Sequence, residues 1–240
     1  MNGARRSAYL DALGIDVYVP RDIAVVPEPP PVERPSEMHA PGDEVIAGLG
    51  WEMLEEAVSR CTRCPLHETR TRSVFGVGNR NARWMVIGEA PGAEEDRRGE
   101  PFVGRAGQLL NEMLRAVGYS REDVFITNVL KCRPPGNRDP KPDEAASCRG
   151  YLERQIELVS PTLIVAVGRV AAQNLLATSE TLGRLRGRLH SLGPRGLPVL
   201  VTYHPAYLLR SPGEKRKSWA DLLLAMQAFR RLEAERVVSS

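Results

Sequence analysis

Residues 84–114 read WMVIGEAPGAEEDRRGEPFVGRAGQLLNEML. The apolar run Trp84 to Ile87 stops at Gly88, and a helical pattern of Leu109, Leu110, Met113, Leu114 and Val117 takes over downstream. The order is therefore strand, long loop, helix. In open α/β sheets such loops lie at the carboxyl ends of strands, where those folds bind ligands. The loop from Gly88 to Gly107 holds five glycines and two prolines, together with Glu89, Glu94, Glu95, Asp96 and Glu100. That composition is poor material for a core and good material for a site. Neither a Walker A signature nor GxGxxG occurs in the chain, so nucleoside triphosphate and dinucleotide readings lose their motifs.

Working outward, Val124 to Leu130 (VFITNVL) is a second apolar strand with Asn128 near its end, followed by a basic, proline-rich loop from Lys131 to Arg138. Pro142 to Leu158 is predicted to be a helix, with Pro142, Asp143 and Glu144 suited to its first turn. Thr162 to Gly168 is a third strand, Val170 to Leu176 a helix, and Leu197 to Tyr203 a fourth strand that delivers His204. A last helix is expected from Lys215 to Glu235, and one upstream helix over residues 43–60 from Val45, Ile46, Leu49, Met53, Leu54 and Val58. Ser73 to Gly78 reads as a strand or turn with close backbone approach. Alternating strands and helices predict a three-layer α/β/α sandwich with a central, mainly parallel four-stranded sheet. Glu89, Asn128 and His204 then each fall just past a strand end and converge on one edge. Residues 1–42 read as an N-terminal extension, with six prolines between Pro27 and Pro41 forming a linker, and residues 43–240 as the functional domain.

A net charge of +3 and a pI near 8.8 permit a nucleic-acid partner without requiring one. No apolar segment follows Arg5 and Arg6 as a secretory signal would require, and no apolar run approaches the roughly 18 residues of a membrane span. A cytoplasmic protein with no membrane partner is expected. In that compartment the four cysteines read as ligands or free thiols rather than a disulfide framework, with Cys132 and Cys148 as buried small hydrophobes the alternative. Cys61 and Cys64 form a CxxC pair, and Cys132 and Cys148, separated by fifteen residues, complete a tetrahedral set. Spacing alone leaves Zn²⁺ and an iron–sulfur cluster both open. The acidic loop admits a divalent-metal site for phosphoester chemistry, or a solvated loop balanced by Arg97, Arg98 and Arg105. Phe102 is an aromatic in a polar loop, either core or a stacking face. His190, between apolar neighbours, reads as packing.

Taken together, GEAPGAEEDRRGEPFVGRAGQLL (88–110), TNVLKCRPPGNRDP (127–140) and HPAYLLR (204–210) resemble the family-4 uracil-DNA glycosylases, over about Trp51 to Leu232. The resemblance implies the uracil-glycosylase α/β fold, a [4Fe–4S] cluster on Cys61, Cys64, Cys132 and Cys148, and hydrolysis of the N-glycosidic bond of uracil in single- and double-stranded DNA by a monomer. It implies that Phe102 stacks on a flipped uracil, that Asn128 reads its edge and that His204 donates to its O2. The better-known family-1 motif GQDPYH has an aspartate at its third position, where this chain has Ala90. Glu89, after Gly88, therefore becomes the candidate for the catalytic carboxylate. Gly92 stands where those enzymes have the tyrosine that excludes thymine, and Glu95 is expected to fill the space. Residues 205–210 resemble a segment that wedges the duplex, with Tyr207 and Leu208 as plugs and Arg210 on phosphate; Arg133 in the basic loop would bind the backbone as well. One neighbouring branch traps uracil-DNA through a histidine after the asparagine motif. Here KCRPP follows and no histidine stands there, so turnover is expected. A metal-dependent phosphoester hydrolase and a non-catalytic DNA-binding metalloprotein are the rival readings.

Overall fold

A computed structural model describes residues 42–239, with side chains as far as residue 235. The extension and its proline-rich linker lie outside the described residues, apart from Gly42. In chain order the elements are α1 (Asp43–Ala47), α2 (Trp51–Ser59), α3 (Leu66–Thr69), β1 (Val77–Gly78), β2 (Trp84–Gly88), α4 (Ala93–Arg98), α5 (Arg105–Ala116), β3 (Phe125–Asn128), α6 (Pro142–Val159), β4 (Leu163–Val167), α7 (Arg169–Leu176), α8 (Leu182–Leu185), β5 (Leu189–Leu192), β6 (Leu197–Thr202), α9 (Pro205–Arg210) and α10 (Lys215–Ser239), with 3₁₀ turns at Pro135–Asn137 and Pro212–Glu214.

The strands form one sheet in the order β1-β3-β2-β4-β6-β5. Its centre, β3-β2-β4-β6, is parallel and consists of the four apolar runs legible in the sequence. The sheet nevertheless has six strands rather than the expected four, because β1 and β5 add antiparallel edges. β1 is two residues long and β5 (LHSL) is half-polar and only partly buried, so neither gives an apolar run to read.

Both faces of the central strands are covered, as a parallel sheet requires. Alternation splits β2 cleanly: Met85 and Ile87 pack in one apolar layer with Phe125, Ile164 and Val201, while Trp84 and Val86 pack in the other with Ile126, Val165 and Leu200. The approach expected near Ser73–Gly78 is real. Gly78 has φ +113°, and a Cβ there would lie 1.9 Å from the Val124 carbonyl oxygen, so only glycine fits beside β3.

Three local expectations change. The helix expected over 43–60 is two helices, α1 and α2, broken where Gly48 and Gly50 flank Leu49. The acidic loop contains α4, whose Glu94, Glu95 and Asp96 lie in its first turn and Arg97 and Arg98 in its last, an order that suits the helix dipole. Residues 205–210, expected as a loop, are helical, with Pro205 at a first-turn position. Among the described residues no helix is long and apolar enough to cross a membrane.

Candidate active site

β2, β3 and β6 end on the same edge of the sheet, and a cavity of about 410 Å³ opens there. It gathers Glu89 and Ala90 from the end of β2, Gly92, Glu95 and Phe102 from the glycine-rich loop, Asn128 from β3, and His204, Tyr207 and Arg210 from the end of β6 and α9. Residues more than a hundred positions apart in sequence thus meet as the strand ends predicted.

The pairing of β2 with β3 places Gly88 beside Asn128. A Cβ on Gly88 would lie 2.4 Å from Asn128 Oδ1 and 2.5 Å from Phe102 Cζ, so the amide and the ring occupy the space any side chain would need. Asn128 is 2% exposed, and its Oδ1 is buried with no hydrogen-bond partner among the described residues. Leaving such an acceptor unmade costs about 1–3 kcal/mol. The backbone carbonyl of Asn128, by contrast, is held: Lys131 Nζ donates to it at 2.7 Å, and also to Thr127 Oγ1 at 2.8 Å and Gln155 Oε1 at 2.7 Å.

Phe102 has φ +53°, a left-handed conformation that costs an L-residue roughly 1–2 kcal/mol. Arg121 holds the turn by donating to the carbonyl oxygens of Pro101 and Phe102 and to Glu100 Oε1. Gly107 leaves room for it, since a Cβ there would lie 1.7 Å from the Phe102 oxygen. The Phe102 ring stacks against His204 with centroids 5.7 Å apart and planes at 30°. Arg121 carries no motif signal, because it acts on backbone nineteen residues away.

Glu95 lines the cavity with both oxygens engaged. Oε2 accepts from Gly92 N at 3.1 Å, and Oε1 accepts from Val103 N and Gly104 N at 3.0 Å each. One carboxylate therefore ties together the two ends of the loop. His204 caps α9: its Nδ1 accepts from Ala206 N at 3.1 Å, which leaves the ring proton on Nε2. Burial, reinforced by nearby Arg210 and opposed by Glu95, pulls its pKa down to about 4, so the ring is a neutral donor at pH 7. Glu89 is pushed the other way, up to about 7, by burial and then by Asp139, with Arg169 opposing. Asp139 and Arg169 pair at 2.5 Å.

Two expected DNA contacts need correction or relocation. Leu208 is 1% exposed, because the helical turn of α9 points it into the protein; the neighbours at the surface are Tyr207 (37%) and Leu209 (36%). Leu208 is thus an anchor of α9 and not a plug. Arg133 does not line the cavity and instead donates to Asn137 Oδ1 at 2.8 Å. Pro134, Asn137 and Arg138 of the same loop do line it.

The sequence profile of the uracil DNA glycosylase superfamily matches residues 75–224, from just before β1 into α10. The chain is 48% identical to the type-4 uracil-DNA glycosylase of Archaeoglobus fulgidus, over 71% of this chain and 88% of that protein. It is 49% identical to the type-4 enzyme of Thermotoga maritima, over 67% and 83%, and 43% identical to that of Pyrobaculum aerophilum, over 72% and 91%. The chain belongs to the uracil DNA glycosylase superfamily, with its type-4 members.

In this superfamily member a second cavity lies behind the basic loop, lined by Cys61, Cys64, Cys132 and Cys148 together with Arg63, Arg70, Lys131 and Tyr151. All four cysteines are unpaired and buried. Cations and N–H groups face the sulfurs: Arg70 Nη1 lies 3.0 Å from Cys132 Sγ, and Arg63 N 3.5 Å from Cys61 Sγ. Burial pushes the Cys64 and Cys132 thiols up, and Cys148 to about 12, so without a positive centre they stay protonated. Among the described residues no three Cys, His, Asp or Glu side chains converge to hold a single ion. The four buried cysteines around this one cavity are the donor set that a metal group there would use.

The Gly88→Ala variant is expected to lose about 1–3 kcal/mol of stability in urea unfolding, the usual cost of overpacking, and to displace the Phe102 ring or the Asn128 amide in a crystal structure. Unchanged stability with both side chains in place would show that the contact is not tight.

Proposed function

We propose that this chain is a uracil-DNA glycosylase, a hydrolase of N-glycosyl bonds that removes uracil from DNA and leaves an abasic site for base excision repair. The observation that carries the reading is the buried, unpartnered Asn128 Oδ1 in a cavity shared with a neutral histidine donor and an aromatic ring. The type-4 names of the relatives support it. A base within a duplex cannot present its glycosidic bond, so the nucleotide must be flipped into the cavity. There Phe102 offers a flat apolar contact, and Asn128 Oδ1 accepts from uracil N3–H while its amide donates to O4. Cytosine carries the opposite pattern at those atoms and would leave two buried groups unmade, at about 1–3 kcal/mol each.

As the C1′–N1 bond breaks, its electron pair leaves with the base and negative charge gathers on O2. His204 Nε2–H is the donor for that oxygen. With so low a pKa it stabilises the anion without being a proton reservoir, an electrostatic contribution of the kind that dominates many active sites. Water adds to C1′ and gives up its proton to Glu89, whose carboxylate also stabilises the cationic sugar. Ala90 has no group for that task. Backbone phosphates would be held by Arg133 and Arg210, making affinity salt-dependent. Action in the cytoplasm, on single- and double-stranded DNA, as a monomer, completes the proposal.

We further propose that Cys61, Cys64, Cys132 and Cys148 hold a [4Fe–4S] cluster, which when bound supplies a structural cross-link. Cys132 opens the loop that carries Arg133 and the cavity-lining Arg138, and Cys148 lies in α6, so the chain's own contribution is to fix that loop against α6. The phosphoester reading is weakened by where the loop carboxylates go: Glu94 pairs with Arg97, Asp96 accepts from Thr71 N, Glu100 pairs with Arg121 and Glu95 binds backbone.

A single-uracil oligonucleotide incubated with the protein and heated in alkali should break at uracil, with or without EDTA; no break would sink the glycosylase proposal. Asn128→Ala and His204→Ala should each slow release by about 10²-fold or more. Because Glu89 acts as an anion, kcat/KM should climb with pH through about 7 and then level, and Glu89→Gln should flatten the profile and lower its height. That same variant should be more stable than wild type above pH 7. A folded-state pKa raised above the unfolded value means that stability is lost as pH rises through it, and glutamine removes the loss. Purified protein should be brown and contain iron and sulfide in equal amounts; a colourless zinc-loaded protein of full activity would overturn the cluster.

A further inference from the structure

Beside the cavity stands a column of stacked groups that removal of one base does not use. Tyr207 of α9 lies on Tyr203, with ring centroids 5.1 Å apart and planes at 24°. The Arg186 guanidinium also sits over the Tyr203 ring, 5.1 Å from its centroid. Arg186 is itself gripped, Nε donating to Asp221 Oδ2 at 3.1 Å, and Nη2 to Asp221 Oδ1 at 2.9 Å and to the Lys217 carbonyl at 2.7 Å. Asp221 is 1% exposed and accepts a further bond from Thr202 Oγ1 at 2.9 Å. The column is thus rooted in the core and ends on a tyrosine that is 37% exposed and lines the same cavity as Phe102. Arg210, three residues on and a neighbour of Tyr207 along the helix, lines it too.

An aromatic held this rigidly loses little further freedom when a flat ring stacks on it. The site therefore has two aromatic platforms: Phe102 stacked with His204, and Tyr207 stacked on Tyr203, whose ring Arg186 also contacts. We propose that Tyr207 is a second base subsite, which stacks the nucleotide adjacent to the flipped uracil while Arg210 takes the phosphate beside it. The minimal ligand is then a two-nucleotide single-stranded segment, engaged with no opposite strand. This deepens the glycosylase reading and rests on it. Stacking on a ring is tolerant of base identity, since every base has a π-face, so the subsite adds affinity without restricting the neighbouring sequence. A plug that fills the gap left in a duplex makes the opposite demand: it needs bulk, which leucine supplies, and it acts only on double strands.

The test uses full-length protein with single-stranded and duplex oligonucleotides carrying 2′-fluoro-deoxyuridine, which resists cleavage, and 2-aminopurine on its 5′ or its 3′ side. Wild type should quench the 2-aminopurine on one of the two sides. Tyr207→Ala and Tyr207→Leu should abolish the quench and weaken single-strand binding by about tenfold or more, while Tyr207→Trp keeps both. The Trp variant also controls for folding. Leucine matching wild type on single strands, or losses confined to the duplex, would make Tyr207 a plug and overturn the subsite. Failure of wild type to release uracil from the ordinary substrate would sink the glycosylase reading instead, and the fluorescence titration would still decide whether Tyr207 stacks a base.

Discussion

Everything in the site depends on the absence of a side chain at position 88. Parallel register sets Gly88 beside Asn128, and the volume a Cβ would take is filled by the Asn128 amide oxygen and the edge of the Phe102 ring. Two strands and a loop thus meet within one methyl group's space. The pairing continues beyond the strands, with Val129 N donating to the Gly88 carbonyl at 2.9 Å and Leu130 N to that of Glu89 at 3.0 Å. Glu89 and Asn128 are therefore not two residues that happen to line a cavity. They are held in register by the sheet itself, which is more rigid than any loop.

The second support is less expected. Lys131 is fully buried, and burial pulls its pKa down to about 7 against the opposing influence of Cys148 and Cys132. A buried cation is tolerable only when its hydrogens are all met, and here three acceptors meet them, one being the Asn128 carbonyl. Thr127 Oγ1 and Gln155 Nε2 both pass on to the Phe75 carbonyl, at 2.8 and 2.9 Å. The network joins β3, the segment before β1 and α6. It also lies between the asparagine and the cysteine cavity, since Lys131 lines that cavity and precedes Cys132. Losing order among the cysteines would therefore disturb the main chain that presents the Asn128 amide.

Much of this was legible in the residues. The four apolar runs became the central parallel strands, and Glu89, Asn128 and His204 fell at their ends because a strand's end is marked where apolar character stops. What escaped reading had no apolar period to carry it. β1 is held by glycine geometry, β5 is half-polar, and α4 is specified by charge order on a stretch with no hydrophobic face. Leu208 was misplaced because six residues are too few to show a helical period, Pro205 being the one helix-start signal; once the segment turns as a helix, adjacent leucines point to different sides and Leu209 rather than Leu208 reaches the surface. Arg121, Lys131 and Arg186 act on carbonyls, on neighbouring side chains or on a ring, and no spacing rule encodes such contacts.

Two of the cavity's titratable groups, Glu89 and His204, show how one environment serves two needs. Burial pushes both toward neutrality, His204 down to about 4 and Glu89 up to about 7. For the histidine that is all the site requires, because a neutral ring with its proton fixed on Nε2 by the Ala206 amide can donate without being consumed. For the glutamate the same burial disfavours the charged form, and Asp139 adds to it. Arg169, at the start of α7, is the opposing charge, yet its pairing with Asp139 divides its influence. The carboxylate is therefore left near half-ionisation at neutral pH. A fully desolvated base would be inert, and a fully solvated one would hold a proton too weakly to take it from water; the poised value lies where general bases work best.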